Sequence, residues 1–89
     1  MKKLRAIPNS FFFVKEAKSL RGLPDIIGCI NGSFVALECK RSEAEARHNT
    51  GRIVLQRKIL HDIERVKGFS FFVYPENEKE VIEYLMSLA

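Results

Sequence analysis

The sequence predicts a small mixed α/β fold, and three observations carry that prediction. Asn31-Gly32 sits between two apolar runs and is the strongest hairpin signal in the chain, because both residues tolerate positive φ. Leu55, Ile59, Ile63 and Val66 then recur at helical spacing. The aromatic run Phe69 to Tyr74 follows, and a helix joining two neighbouring strands makes them parallel. Hairpin and crossover together give a small mixed sheet with a central antiparallel hairpin, flanked by helices. At 89 residues the expectation is a single domain over residues 1–89.

The elements follow in order. Phe11 to Ala17 begins aromatic and β-branched and reads as a strand. Lys18 to Leu23 is a basic loop punctuated by Gly22. Pro24 opens a second strand, Asp25 to Ile30, whose apolar stretch reads as buried on both faces. In the third strand, Ser33 to Lys40, Phe34, Ala36, Glu38 and Lys40 alternate with Val35, Leu37 and Cys39. Arg41 to Arg52 is polar and reads as a loop that orders on binding, with a helical turn over Glu43 to Ala46. A helix from about Ile53 to Lys67 turns its Leu55–Val66 stripe inward and stops at Gly68. Pro75 ends the fourth strand, and Glu78 to Leu88 closes the chain as a helix with Val81, Ile82, Leu85 and Leu88 inward.

With 46% hydrophobic and 29% charged residues, the composition is that of a folded globule. Apolar runs such as Phe11 to Val14 are too short to span a bilayer, so no membrane partner is expected. The basic start Met1 to Arg5 meets Pro8 before any signal-peptide apolar region develops. Cys29 and Cys39 lie in apolar runs without metal-type spacing to His48 or His61, so they are expected as reduced core thiols. Fifteen Lys and Arg against eleven Asp and Glu give a net charge of +4. Lys2, Lys3, Arg5, Lys15, Lys18 and Arg21 precede residue 22 against one acid, Glu16, and this one-sided charge suits a face presented to phosphates.

Most carboxylates here lie in polar stretches, their usual place. Asp25 and Glu38 do not. Asp25 is six residues before Asn31 and Glu38 six after Gly32, so a two-residue hairpin sets them directly opposite, with Cβ atoms ~5 Å apart. Facing carboxylates repel unless a cation lies between them, and an oxygen donor set suits Mg²⁺ or Mn²⁺. Lys40 shares the Glu38 face and suits a role in holding a water nucleophile or stabilising charge on a phosphate. The plainer reading makes Glu38 and Lys40 a surface ion pair and Asp25 a turn residue. An isolated E-x-K would favour that reading; P-D, apolar strand, N-G turn, apolar strand and E-x-K together favour the site.

The chain resembles the PD-(D/E)XK nuclease superfamily and, within it, the VRR-NUC (virus-type replication-repair nuclease) domain. The resemblance rests on Arg21 to Cys29, Asn31 to Arg41, and Leu55-Gln56 opening a helix, within residues 13–74. It implies a restriction-endonuclease-like core and a Mg²⁺- or Mn²⁺-dependent endonuclease acting on branched, junction, flap or duplex DNA. Asp25, Glu38 and the Cys39 backbone carbonyl would hold the metal, Lys40 would position the attacking water, and Gln56 would contact the water or the scissile phosphate. Apart from the resemblance, Gln56 reads as an ordinary helix-surface residue. Lys15, Lys18, Arg21 and Arg41 would meet phosphates, although solvated side chains are commoner. The family often carries another acid on a helix before the first strand; here the ten residues before Phe11 contain none.

The resemblance also implies a cytoplasmic, nucleoid-associated protein of a bacterial or phage-infected cell. A homodimer is expected, because Phe11, Phe12 and Phe13 are hard to bury within so short a chain. Those rings suit core or interface more often than base stacking, which remains a further reading. His48 reads as solvent-exposed and His61 as structural. The rival to a nuclease is a non-catalytic nucleic-acid-binding module of the same fold. The absent upstream acid favours it, and the retained Glu38–Lys40 pair weighs against it.

Overall fold

The computed structural model describes residues 2–15 and 22–89. In chain order the elements are α1 (Lys2–Arg5), β1 (Ser10–Val14), β2 (Ile26–Ile30), β3 (Ser33–Cys39), α2 (Glu43–Ala46), α3 (Gly51–Arg65), β4 (Phe69–Val73) and α4 (Glu78–Met86). All four strands lie in one sheet of order β1-β2-β3-β4. β1, β2 and β3 pair antiparallel, and β4 joins β3 in parallel after the α3 crossover. The hairpin closes with Ile30 opposite Ser33, and Asn31 and Gly32 take φ of 48° and 87°, as a two-residue turn of this sequence requires.

One face of the sheet carries the main core. Phe12, Ile26, Ile30, Val35 and Leu37 pack there with Leu4 of α1, Ile7, and Val81 and Leu85 of α4. Each fully buried aliphatic side chain contributes ~1.5–3 kcal/mol by leaving water. β1 lies so close to β2 that a Cβ at Gly28 would stand 2.1 Å from the Phe11 carbonyl oxygen, so no side chain fits there.

α3 covers part of the opposite face. Thr50 caps it, its hydroxyl accepting from the Ile53 amide at 3.5 Å. Ile53, Gln56 and Leu60 are its buried residues, and the Ser70 hydroxyl on β4 donates to the Leu60 carbonyl at 2.7 Å.

Several expectations change. The inward stripe of α3 is Ile53–Gln56–Leu60, whereas Leu55 and Val66 are exposed. A polar residue sits on the buried stripe, so a purely apolar period selects the wrong face. Leu55 and Ile59 flank the Gly22 segment instead: a Cβ on Gly22 would lie 2.9 Å from each. Cys29 and Cys39 are free but exposed, not core thiols, because α3 leaves the Cys29 side of the sheet uncovered and Cys39 ends its strand. β2 is therefore not buried on both faces.

The expected loop from Arg41 to Arg52 holds α2, closed by Ser42 accepting from the Glu45 amide at 3.1 Å, and the first residues of α3. A short helix, α1, precedes β1 and covers its core side. His61 is exposed on α3. Among the described residues, no helix is long and apolar enough to cross a membrane.

Candidate metal centre

The site sits at the end of the sheet where β1 and β3 finish and β2 starts. The β2–β3 register runs from Ile30↔Ser33 to Ile26↔Leu37, and one further step sets Asp25 opposite Glu38. The β1–β2 register ends at Val14↔Ile26, and its next step brings Lys15 opposite Asp25, where the Lys15 amide donates to the Asp25 carbonyl at 2.7 Å. Glu38 lies opposite Phe72 of β4. Lys15, Asp25, Glu38 and Phe72 thus form one row across the sheet, on the face that α3 partly covers.

Within the row the two acids differ. Asp25 is half-buried, and its Oδ2 accepts from the Cys39 amide at 2.9 Å. That bond ties the Cys39 peptide to the acid pair. Glu38 is 2% exposed and bonds to the Asp25 side chain. Burial, then the bond to Asp25 and the Asp25 charge, push the Glu38 carboxyl from 4.5 up to about 8; Lys40 and Lys15 pull it down by less. Near neutrality the Glu38 carboxyl therefore holds its proton. Glu38 Oε1 is buried and has no hydrogen-bond partner. A buried carboxyl oxygen without a partner costs about 1–3 kcal/mol or more, so a ligand that satisfies it is strongly favoured.

Lys40 is two residues beyond Glu38, so its side chain leaves the strand end on the same face. Its amide donates to the Val73 carbonyl at 2.8 Å, which extends the β3–β4 pairing past the acids. Among the described residues its ammonium makes no hydrogen bond or ion pair, while its charge acts on Glu38.

Gln56 is 4% exposed, not the ordinary surface residue that its isolated reading suggests. α3 runs antiparallel to β3 and β4, and Leu60 sits over Ser70. One turn back along the helix (~6 Å) matches two residues along the strand (~6.6 Å), so Gln56 stands level with the Glu38–Phe72 row. Its Oε1 is also buried and unpartnered. Two orphaned oxygens at one level of one face, beside a second carboxylate, fit a hard divalent cation or its bound water. The signal for Gln56 in the sequence is its place between Ile53 and Leu60, at spacings of three and four. Among the described residues no third Asp, Glu, His or Cys joins the pair as a metal-binding group.

The basic residues divide. Lys15 belongs to the row, and its Nζ donates to the Leu23 carbonyl at 3.1 Å. The Arg41 amide donates to Glu45 at 2.9 Å and its guanidinium meets the same carboxylate at 3.1 Å; the amide bond first, then the guanidinium, holds that carboxyl below the usual carboxylate range. The Arg41 side chain is nevertheless largely exposed and open to a second anion. Lys18, Arg21 and the acid Glu16 lie outside the described residues. No family model, curated protein or solved structure matches this chain.

Proposed function

We propose that the protein is a Mg²⁺- or Mn²⁺-dependent nuclease that hydrolyses phosphodiester bonds in DNA, selective for branched, junction or flap structures. The observation that supports this most is the unpartnered Oε1 of Glu38, buried opposite Asp25 at a strand end that also carries Lys40. Asp25 and Glu38 would hold the cation, with the Cys39 carbonyl as a backbone oxygen beside them and Gln56 Oε1 orienting a water. A divalent cation there supplies Lewis-acid polarisation of the phosphate and a more acidic water.

The chain's own groups do the rest. Glu38 would give up its proton to hold the cation together with Asp25. Lys40 Nζ orients the attacking water by hydrogen bonding and offsets the negative charge that grows on the phosphate. As the water oxygen bonds to phosphorus, the P–O bond to the leaving strand breaks; the water's proton passes to solvent and the leaving oxygen takes one from solvent. Lys15, at the β1 end of the row, and Arg41 would meet phosphates on either side. Contacts of this kind read backbone and shape and carry little base sequence.

The working unit is proposed to be a homodimer. β1 is an edge strand whose five residues contain neither charge nor proline, the usual protections of an edge. Its Phe11, Phe13 and Lys15 backbones face β2, which leaves those of Ser10, Phe12 and Val14 toward the free edge. A second β1 pairing antiparallel there would join two sheets about a two-fold axis. Sedimentation should then give twice 10.2 kDa at micromolar protein; an unchanged monomer mass with branched DNA and Mg²⁺ present removes the dimer.

The activity is tested by Mn²⁺-dependent cleavage of branched, flapped, nicked and linear duplexes. Glu38→Ala should abolish cleavage and leave DNA binding near wild type. Binding without cleavage by the wild-type protein on every substrate would instead establish the non-catalytic module.

A further inference from the structure

We infer that Phe11 and Phe13 form a stacking platform for unpaired nucleotides, which feeds a single strand across the sheet face to the acid pair. The inference rests on the nucleic-acid reading above and names the substrate class for that site.

β1 sends its rings to opposite faces, and Val14 at its end is exposed on the core side. Phe12 is 9% exposed in the core, whereas Phe11 and Phe13 are 66% and 49% exposed on the other face. That is the face of Lys15, Asp25 and Glu38: Phe13 is two residues before Lys15 and Phe11 two residues before Phe13. α3 packs over the β3–β4 side and buries Ser70 and Ala36. On the β1–β2 side, Cys29 and Phe34 are also exposed beside Phe11 among the described residues. Among the described residues, Phe11, Phe13 and Lys15 lead along this face to the Asp25–Glu38 row.

The rings suit bases better than they suit a merely unburied core. Their centroids are 6.2 Å apart and their planes 46° from parallel, so neither covers the other and each keeps an open π-face. Their backbones are paired into β2, so ordering the rings on a base costs only side-chain freedom. The platform residues are uncharged, and Lys15 at their end supplies positive charge beside a polyanion path. Aromatic faces followed by a cation form the usual recognition surface for single strands, whose unstacked bases all present a π-face. A base-paired duplex hides those faces and gains nothing from the rings. Pairing of two β1 edges leaves the platform open, because it uses the strand's backbone and not this face.

The test uses binding in EDTA, so cleavage plays no part. The chain has no tryptophan and two tyrosines; Phe13→Trp therefore places a single tryptophan on the platform, excited selectively beyond the tyrosine band. Titration with a short oligodeoxythymidylate should quench its emission, and titration with a blunt duplex should not. Phe11→Leu with Phe13→Leu keeps the apolar character and removes both rings. It should weaken single-strand binding by about 5- to 150-fold for each base unstacked, with duplex affinity and thermal melting unchanged.

Unchanged single-strand affinity in the double variant, or single-strand binding without quenching, overturns the platform and leaves the nuclease reading standing. A blue shift that depends on protein concentration and not on oligonucleotide also overturns it, and assigns the rings to a face between copies of this chain. If the wild type binds neither strand form, the nucleic-acid reading fails, and the platform with it.

Discussion

Glu38→Gln should make the metal-free protein more stable at alkaline pH while removing its response to metal. The Glu38 carboxyl moves from 4.5 to about 8 on folding, so the folded chain holds more protons than the unfolded chain between those values. Stability therefore falls as pH rises through that window. The full stability is present below 4.5 and the loss is complete above about 8. Each pH unit is worth up to ~1.4 kcal/mol, so the whole window approaches ~5 kcal/mol. Small domains have only ~5–15 kcal/mol in all, so the effect is large on that scale.

Glutamine has nearly the same shape and cannot ionise, so its curve should lack this slope. Urea unfolding in EDTA at pH 5, 7 and 9, with wild type and variant side by side, measures the difference directly. The gap between them should open in the variant's favour toward pH 9. Millimolar Mg²⁺ should close it by stabilising the wild type alone, since a ligand that binds the folded state adds RT ln(1 + [L]/Kd). Parallel pH curves for the two proteins, or equal stabilisation of both by Mg²⁺, would refute the facing-carboxylate reading.

The other predictions are more local. Lys40→Ala should stop cleavage and leave Mn²⁺-induced stabilisation in place; loss of both with the fold intact removes its water-positioning role. Gln56→Leu relieves a buried unpartnered amide oxygen and should raise stability by about 1 kcal/mol while slowing cleavage; faster unfolding in urea and unchanged turnover would count against its place at the site. Gly28→Ala should cost several kcal/mol or prevent folding, because the added methyl meets the Phe11 backbone, which cannot move without breaking β1–β2 pairing; near-wild-type melting by circular dichroism would contradict that geometry. Replacing Lys15, Lys18 and Arg21 together with Ala should flatten the salt dependence of DNA affinity by about two to three in log–log slope, and an unmoved slope would place the DNA elsewhere.

Local chemistry made much of the fold and of the acid pair legible in the sequence. The Asn31-Gly32 turn sets the β2–β3 register through backbone conformations few other residue pairs adopt. Counting six residues outward on each side then reaches Asp25 and Glu38 without any tertiary information. Apolar runs bounded by Gly and Pro likewise mark β3, β4 and α4, because hydrogen-bonding periodicity is a local property. Long-range packing decided the rest. The face that α3 buries depends on what lies beneath it, and a glutamine aimed at a polar strand end is invisible to a hydrophobic period. The exposure of Cys29, Phe11 and Phe13 follows from how far α3 reaches across the sheet, since a single crossover helix covers only part of four strands. The burial that raises the Glu38 carboxyl comes from elements far apart in the chain closing around one strand end. Sequence places an acid there, and only the assembled fold removes the water from it.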